Sequence, residues 1–190
     1  MAGFDKDVFV ADCLAVVREG PRAQQAVKEI VERAIAEPRA IEAEVRPWSE
    51  SPMMTIWHRS DELTVLHIVW PPDVDLYAHD HNMWATIGVY GGREDNIFWR
   101  RLPDDGKGRI EAAGAKSLGP AEVRPLGEDI IHSVTNPTGK LTGAIHVYGG
   151  DFVTTERSEW DPENLEERPY DIDKNVKYFE DANRLLEGAD

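Results

Sequence analysis

The chain has 190 residues, with 36 acids against 21 bases and a formal net charge of −15. Phosphate binding needs a basic surface, so nucleic acid is not an expected partner, and the acidity reads as a soluble, repulsive surface. The length fits one domain with room for an appended helical segment. The single cysteine, Cys13, excludes an internal disulfide and a zinc site of cysteine pairs, and fits a reducing, cytoplasmic setting. No secretory leader and no run of about 18 apolar residues is seen, so neither export nor a membrane span is expected.

Residues 1–45 read as helix. Val8, Leu14, Ala15 and Val17 form an apolar stripe, and the pattern restarts after Gly20-Pro21 with Ala26, Ile30, Ala34 and Ile35 on one side. From Met53 the period changes. The segments MMTIWHR, LTVLHIVW, LYAHDH, WATIGVYG, NIFWRRL, AEVRPL, IIHSVTN and LTGAIHVYGG are short and rich in Val, Ile, Thr and aromatics. Turn signals separate them: Pro71-Pro72-Asp73, Gly91-Gly92, Asp105-Gly106 and Asn136-Pro137-Thr138-Gly139. Residues 46–154 are therefore expected to form an all-β barrel or sandwich, with the helices of 1–45 packed on it.

Residues 155–190 turn polar and acidic. Asp161-Pro162 reads as a helix cap with Pro in the first turn. DIDKNVKYFEDANRLLEG reads as a final helix with Val176, Phe179, Ala182 and Leu186 on one face. GRIEAAGAKS has the wrong spacing for a phosphate loop.

His79 and His81 share one face if they lie in a strand, because side chains alternate. Two such imidazoles can close on one metal ion or simply line a wet face. His132 follows some fifty residues later, with Asn136 four positions beyond it. An HxH followed by HxxxN within short strands resembles the cupins. That resemblance implies a double-stranded β-helix, a jelly-roll barrel in which the third histidine faces the first two.

A cupin carboxylate ligand would fall at Ala85 or Thr86, and Glu94 is too far on, so three neutral imidazoles and no carboxylate are expected. Such a set leaves the ion its full charge and open positions. It suits Fe, Zn, Cu or Ni, and a hydrolytic zinc site also fits it.

PPDVDLYAHDHNMWATIGVYGG, DIIHSVTN and AIHVYGGDF together resemble the bacterial thiol dioxygenases, the family of cysteine dioxygenase and 3-mercaptopropionate dioxygenase. The resemblance covers roughly Met53 to Glu159. It implies mononuclear Fe(II), or another divalent metal, held by His79, His81 and His132. It further implies O₂-dependent oxidation of a small thiol carboxylate to a sulfinate, and it leaves room for a homo-oligomer.

The family's Ser-x-His-x-Tyr run is matched by His146 and Tyr148, with Ala144 in place of Ser, so the outer end of that relay is missing. A phenol beside the metal can donate a hydrogen bond or proton while the imidazole orients it; a buried Tyr–His packing pair is the plainer alternative. The carboxylate-binding Arg of cysteine dioxygenases would fall near Met54. Arg157, beyond Tyr148, is the expected substitute clamp. Trp84, three residues after His81, is an expected pocket residue. Trp48, Trp57, Trp70, Trp99 and Trp160 are read as packing, and His58 and His67 as ordinary strand residues. Cys13, the only cysteine, lies in the helical N-terminus, so the Cys–Tyr cross-link of mammalian cysteine dioxygenase is not expected.

Two rival functions remain open. One is a cupin dioxygenase acting on carbon; the other is a non-catalytic metal- or ligand-binding cupin.

Overall fold

The computed structural model describes residues 3–45 and 50–187, without the side chains of residues 186 and 187, so Trp48 and the Leu186 side chain lie outside the described residues. Three helices come first: α1 (Lys6–Arg18), α2 (Ala23–Ile35) and α3 (Pro38–Glu44). The Asp5 carboxylate caps α1 by accepting from the backbone N–H of Asp7 at 2.9 Å and of Val8 at 3.0 Å. Gly20, at φ 111°, makes the break before α2. The buried face of α1 is Phe9, Val10 and Cys13, while Val8 is 55% exposed, which corrects the expected stripe. In α2 the buried residues are Val27, Ile30, Val31 and Ile35, each contributing about 1.5–3 kcal/mol at most.

The strands are β1 (Met53–Arg59), β2 (Thr64–Trp70), β3 (Asp75–Asp80), β4 (Ala85–Gly91), β5 (Glu94–Arg101), β6 (Ile110–Leu118), β7 (Glu122–Leu126), β8 (Ile131–Thr135), β9 (Thr142–Tyr148), β10 (Ser158–Trp160) and β11 (Glu167–Pro169). GRIEAAGAKS supplies most of β6. All pairing is antiparallel. β2 pairs with β9, β3 with β8, β4 with β7 and β5 with β6, as in one long hairpin. That hairpin is wound into two sheets by the further pairs β4–β9 and β5–β8. The orders are β1-β2-β9-β4-β7 and β11-β10-β3-β8-β5-β6. Four strands in each sheet, connected this way, make a jelly roll.

β2, β4 and β9 are buried along their whole length, because both their faces are covered. Leu66, Ile68, Ile87, Val89 and Ala144 point into the barrel. Val65, Tyr90, Ile145 and Val147 point the other way and pack on the helices. A Cβ on Gly88 would lie 2.4 Å from Val31 Cγ1, so glycine is what lets α2 approach the sheet this closely.

The segment after residue 154 differs from expectation. β10 joins the barrel by pairing Glu159 with His79, and β11 pairs with β10. Asp161 accepts from the backbone N–H of Glu163 and Asn164, so Asp161-Pro162 forms the turn between two strands and does not start a helix. The helix comes later, as α4 (Ile172–Glu187). Phe179 is its buried anchor, stacked on Trp70 with centroids 5.6 Å apart, whereas Val176 is 43% exposed. Among the described residues, no helix is long and apolar enough to cross a membrane.

Candidate metal centre

β3 delivers His79 in mid-pairing with β8 and His81 just past its end, and β8 delivers His132 directly opposite His79. All three are buried, and one ring nitrogen from each lies within 4.8 Å of the others. The Nε2 atoms of His81 and His132 are 3.3 Å apart. Two imidazoles on one ion at zinc-like bond lengths stand about 3.0–3.4 Å apart, so the cluster fits a divalent cation.

The outer nitrogens explain how the rings are held. His79 Nδ1–H donates to the Tyr77 carbonyl at 2.9 Å, and His132 Nδ1–H donates to Asn96 Oδ1 at 2.6 Å. Both bonds leave Nε2 as a lone pair facing the centre. His81 Nδ1 is buried and has no partner among the described residues. Burial pushes His79 down to about 4. Burial, reinforced by the neighbouring rings, holds His81 and His132 well below the ordinary imidazole value. Neutral imidazoles are the metal-binding form.

Tyr148 and His146 lie on the inner face of β9. The Tyr148 hydroxyl is 3.1 Å from His146 Nδ1, and its ring packs edge-on against His81 at 5.0 Å. Burial raises the phenol above its ordinary value. The far nitrogen of His146 is not left open by Ala144. Its Nε2 faces Glu94 Oε2 at 3.2 Å, so the missing outer end of the relay is occupied by a carboxylate from β5. Glu94 stays out of the imidazole cluster, in keeping with a ligand set without carboxylate.

Arg157 is buried between two rings, its guanidinium carbon 3.7 Å from the Phe152 centroid and 4.0 Å from that of Tyr170. Its Nη1 donates to the Phe152 carbonyl at 2.8 Å, and its Nε has no hydrogen-bond partner among the described residues. Glu156 is not its counter-ion; among the described residues no carboxylate lies within ion-pair distance. Burial lowers its pKa, and its charge is felt at His79, His81 and Tyr148.

Phe152 and Tyr170 also line a cavity beside His79, His132, His146 and Tyr148, whereas Arg157 lies behind them and lines an outer groove with Ser158 and Arg168. Met54 lines the cavity where the cysteine dioxygenase Arg was sought, while Arg59 is turned away and paired with Asp151. Its free space is about 30 Å³, against the ~10–15 Å³ one water needs. Phe179, Tyr178 and Asn175 of α4 form part of its wall.

Trp84 is not part of this lining. It faces the helices and packs where a Cβ on Gly149 would lie 2.1 Å from its ring. A residue four positions past the end of β3 and just before β4 could take either side, and the alternation of β4 puts Trp84 outside. Cys13 sits in the helix cluster, with burial raising its thiol to about 12, away from Tyr148. His67 is stacked between Trp57 and Tyr90 on that same side. Asn136 holds the β8–β9 turn by donating to the Pro71 and Lys140 carbonyls. Sequence reasoning missed Glu94, Asn96 and Trp70 as residues of the centre. The one available signal was Glu94-Asp95-Asn96, which puts two polar side chains on one face of a strand.

No family model matches the chain. Among solved structures, a Klebsiella pneumoniae protein with a double-stranded β-helix domain is similar at 13% identity and TM-score 0.42, over 58% of this chain and 82% of that one. The Schizosaccharomyces pombe Cnp3 cupin domain is similar at 7% identity and TM-score 0.42, over 52% and 64%. A Bacillus subtilis oxalate decarboxylase, described with Mn(II) centres, is similar at 16% identity and TM-score 0.38, over 50% of this chain and 23% of that one. The chain thus spans less than a quarter of the decarboxylase's length. The fold assignment stands on the strand pairing itself: the chain has the cupin double-stranded β-helix fold, with N-terminal helices, a C-terminal helix and three barrel histidines that could hold a divalent metal.

Proposed function

We propose that this cupin is an O₂-dependent oxidase of small thiol carboxylates, a thiol dioxygenase with Fe(II) on His79, His81 and His132. The observation that carries the reading is the company the three buried imidazoles keep: a phenol packed against one of them and a buried guanidinium with no carboxylate of its own. When bound, the ion would supply Lewis acidity, one-electron chemistry and a place for thiolate and O₂ to meet. The net change is RS⁻ + O₂ → RSO₂⁻. Sulfur loses four electrons and O₂ gains four, both oxygen atoms end on sulfur, and no outside reductant is needed.

The chain's own groups have separate tasks. Arg157 would take the substrate carboxylate with Nε and the outer guanidinium face. The walls of Leu66, Ile68 and Phe179 exclude water. The Tyr148 hydroxyl, its proton held by His146 Nδ1, offers its oxygen lone pairs to the reacting sulfur side and can accept a hydrogen bond or proton there. Holding both reactants in one dry pocket makes their encounter effectively intramolecular.

The apolar lining favours a second reading, a cupin dioxygenase acting on a carbon substrate. Oxygen uptake by the iron-loaded protein separates the two. Thiol-dependent uptake with sulfinate as product is the expected result. Uptake with a diketone but no thiol would establish the carbon reading, and metal binding without any uptake would leave a ligand-binding protein.

A further inference from the structure

Glu94 is fully buried, and three N–H groups converge on its carboxylate. Trp70 Nε1 donates to Oε2 at 2.7 Å, His146 Nε2 faces the same oxygen at 3.2 Å, and Asn96 Nδ2 donates to Oε1 at 3.1 Å. Two of these three partners lead back to the centre. Asn96 Oδ1 meets His132 Nδ1 at 2.6 Å, and His146 Nδ1 meets the Tyr148 hydroxyl at 3.1 Å.

We propose that Glu94 is the positioning residue of the centre, one carboxylate that sets His132 as a metal ligand through Asn96 and sets the Tyr148 hydroxyl through His146. A carboxylate can only accept. Asn96 must therefore turn its NH₂ to Glu94 and its carbonyl oxygen to His132. That oxygen also only accepts, so His132 carries its proton on Nδ1 and leaves Nε2 open for a metal. On the other arm, Glu94 requires the proton of a neutral His146 to sit on Nε2. Nδ1 is then an acceptor, and the Tyr148 hydroxyl donates to it with its oxygen lone pairs toward the cavity.

A burial this complete needs such partners, because an ionised carboxylate in a dry interior is stable only when paired and hydrogen-bonded. Burial alone would raise the Glu94 carboxyl. The hydrogen bonds from His146, Asn96 and Trp70 oppose it, and the group lies below its ordinary value.

Glu94→Gln tests the argument at nearly constant size. A glutamine can offer NH₂ to Asn96, which can then flip and offer NH₂ to His132 Nδ1, moving the His132 proton to Nε2 and closing the lone pair. The inference rests on the metal centre of the proposed function but not on the thiol, so it is read with Co(II) alone, by competition with a chromophoric chelator and without substrate.

Glu94→Gln should weaken Co(II) binding by about 10–100-fold and alter its visible bands. Asn96→Ala should weaken it comparably, and the double variant should fall within about threefold of the weaker single one, since both act through one path. If Glu94→Gln does not fold, Glu94→Asp keeps the charge on a stem one methylene shorter, cannot span both arms, and should show the same loss. Folded variants with wild-type affinity and spectrum, or losses that simply multiply in the double variant, would overturn the proposal and leave Glu94 a packing residue. Wild-type protein that takes up no Co(II) would overturn the metal reading itself.

Discussion

His81 and His132 turn their Nε2 atoms toward each other at 3.3 Å inside a barrel that burial keeps dry. Two lone pairs at that distance repel unless a proton or a cation lies between them. Without metal, the single proton of a neutral His81 bridges the pair when carried on Nε2, while burial and the adjacent rings disfavour a second proton on either imidazole. A divalent ion takes that proton's place and engages all three rings at once.

Metal should therefore stabilise the fold and not merely adhere to it. At a free concentration a hundredfold above Kd, binding adds about 2.7 kcal/mol, roughly 5–10 °C in Tm for a chain this long. Thermal unfolding with and without Co(II) reads this directly. His132→Ala should abolish the shift, and a wild-type protein indifferent to divalent ions would end the case for a metal centre.

Tyr148→Phe should lower turnover about a hundredfold or more, or divert O₂ from product, while Co(II) affinity stays near wild type. The ring that packs against His81 remains; only the hydroxyl bonded to His146 is lost. Unchanged turnover with unchanged product yield per O₂ would reduce the Tyr148–His146 pair to packing.

The barrel was legible in the sequence because its strands are short, branched and bounded by Gly, Pro and Asn turns, and all eight expected strand segments correspond to strands of the two sheets. β6 was not proposed as a strand, since most of its residues are exposed and small and carry no alternating apolar signal. The stripe on α1 was misjudged because it took Val8 for a core residue, whereas Phe9, Val10 and Cys13 meet the sheet. The three histidines could be picked out because HxH followed by HxxxN resembles the cupin pattern, and HxH on one strand needs only a partner strand opposite. Glu94 could not. Its link to His146 spans β5 and β9, which belong to different sheets, and no sequence interval encodes that crossing.

Stability without metal should fall steeply as the solution is acidified. Burial pushes His67 and His79 from the ordinary 6.5 down to about 4, and His81 and His132 are shifted the same way. The unfolded chain protonates these rings below 6.5 while the native protein does not. Their contribution is complete above 6.5 and is lost as pH falls toward 4, at up to about 1.4 kcal/mol per pH unit for each ring. Urea midpoints at pH 7.5, 6.0 and 5.0 measure the slope. His67→Phe, outside the centre, should flatten it by about one ring's share without changing Co(II) affinity. Equal midpoints at pH 7.5 and 5.0 would mean that the rings are not buried as neutral bases.

Arg157 carries the sharpest prediction about substrate. Its guanidinium is flanked by Phe152 and Tyr170, bonded to the Phe152 carbonyl and in reach of the Tyr170 hydroxyl, and left without a carboxylate among the described residues. A buried cation in that state is costly, and an incoming carboxylate would relieve the cost with a charge-assisted bond of about 1.5–3 kcal/mol. Arg157→Ala should therefore raise KM for a thiol acid about tenfold or more, since roughly 1.4 kcal/mol is one decade. A thiol without the carboxylate should barely respond. Arg157→Lys should fail to rescue, because an ammonium neither fills the planar slot between two rings nor binds a carboxylate with two parallel bonds. If both thiols lose affinity equally, Arg157 supports the cavity wall by packing on Phe152, and a substrate without a carboxylate becomes the better match for a pocket lined mainly by apolar side chains.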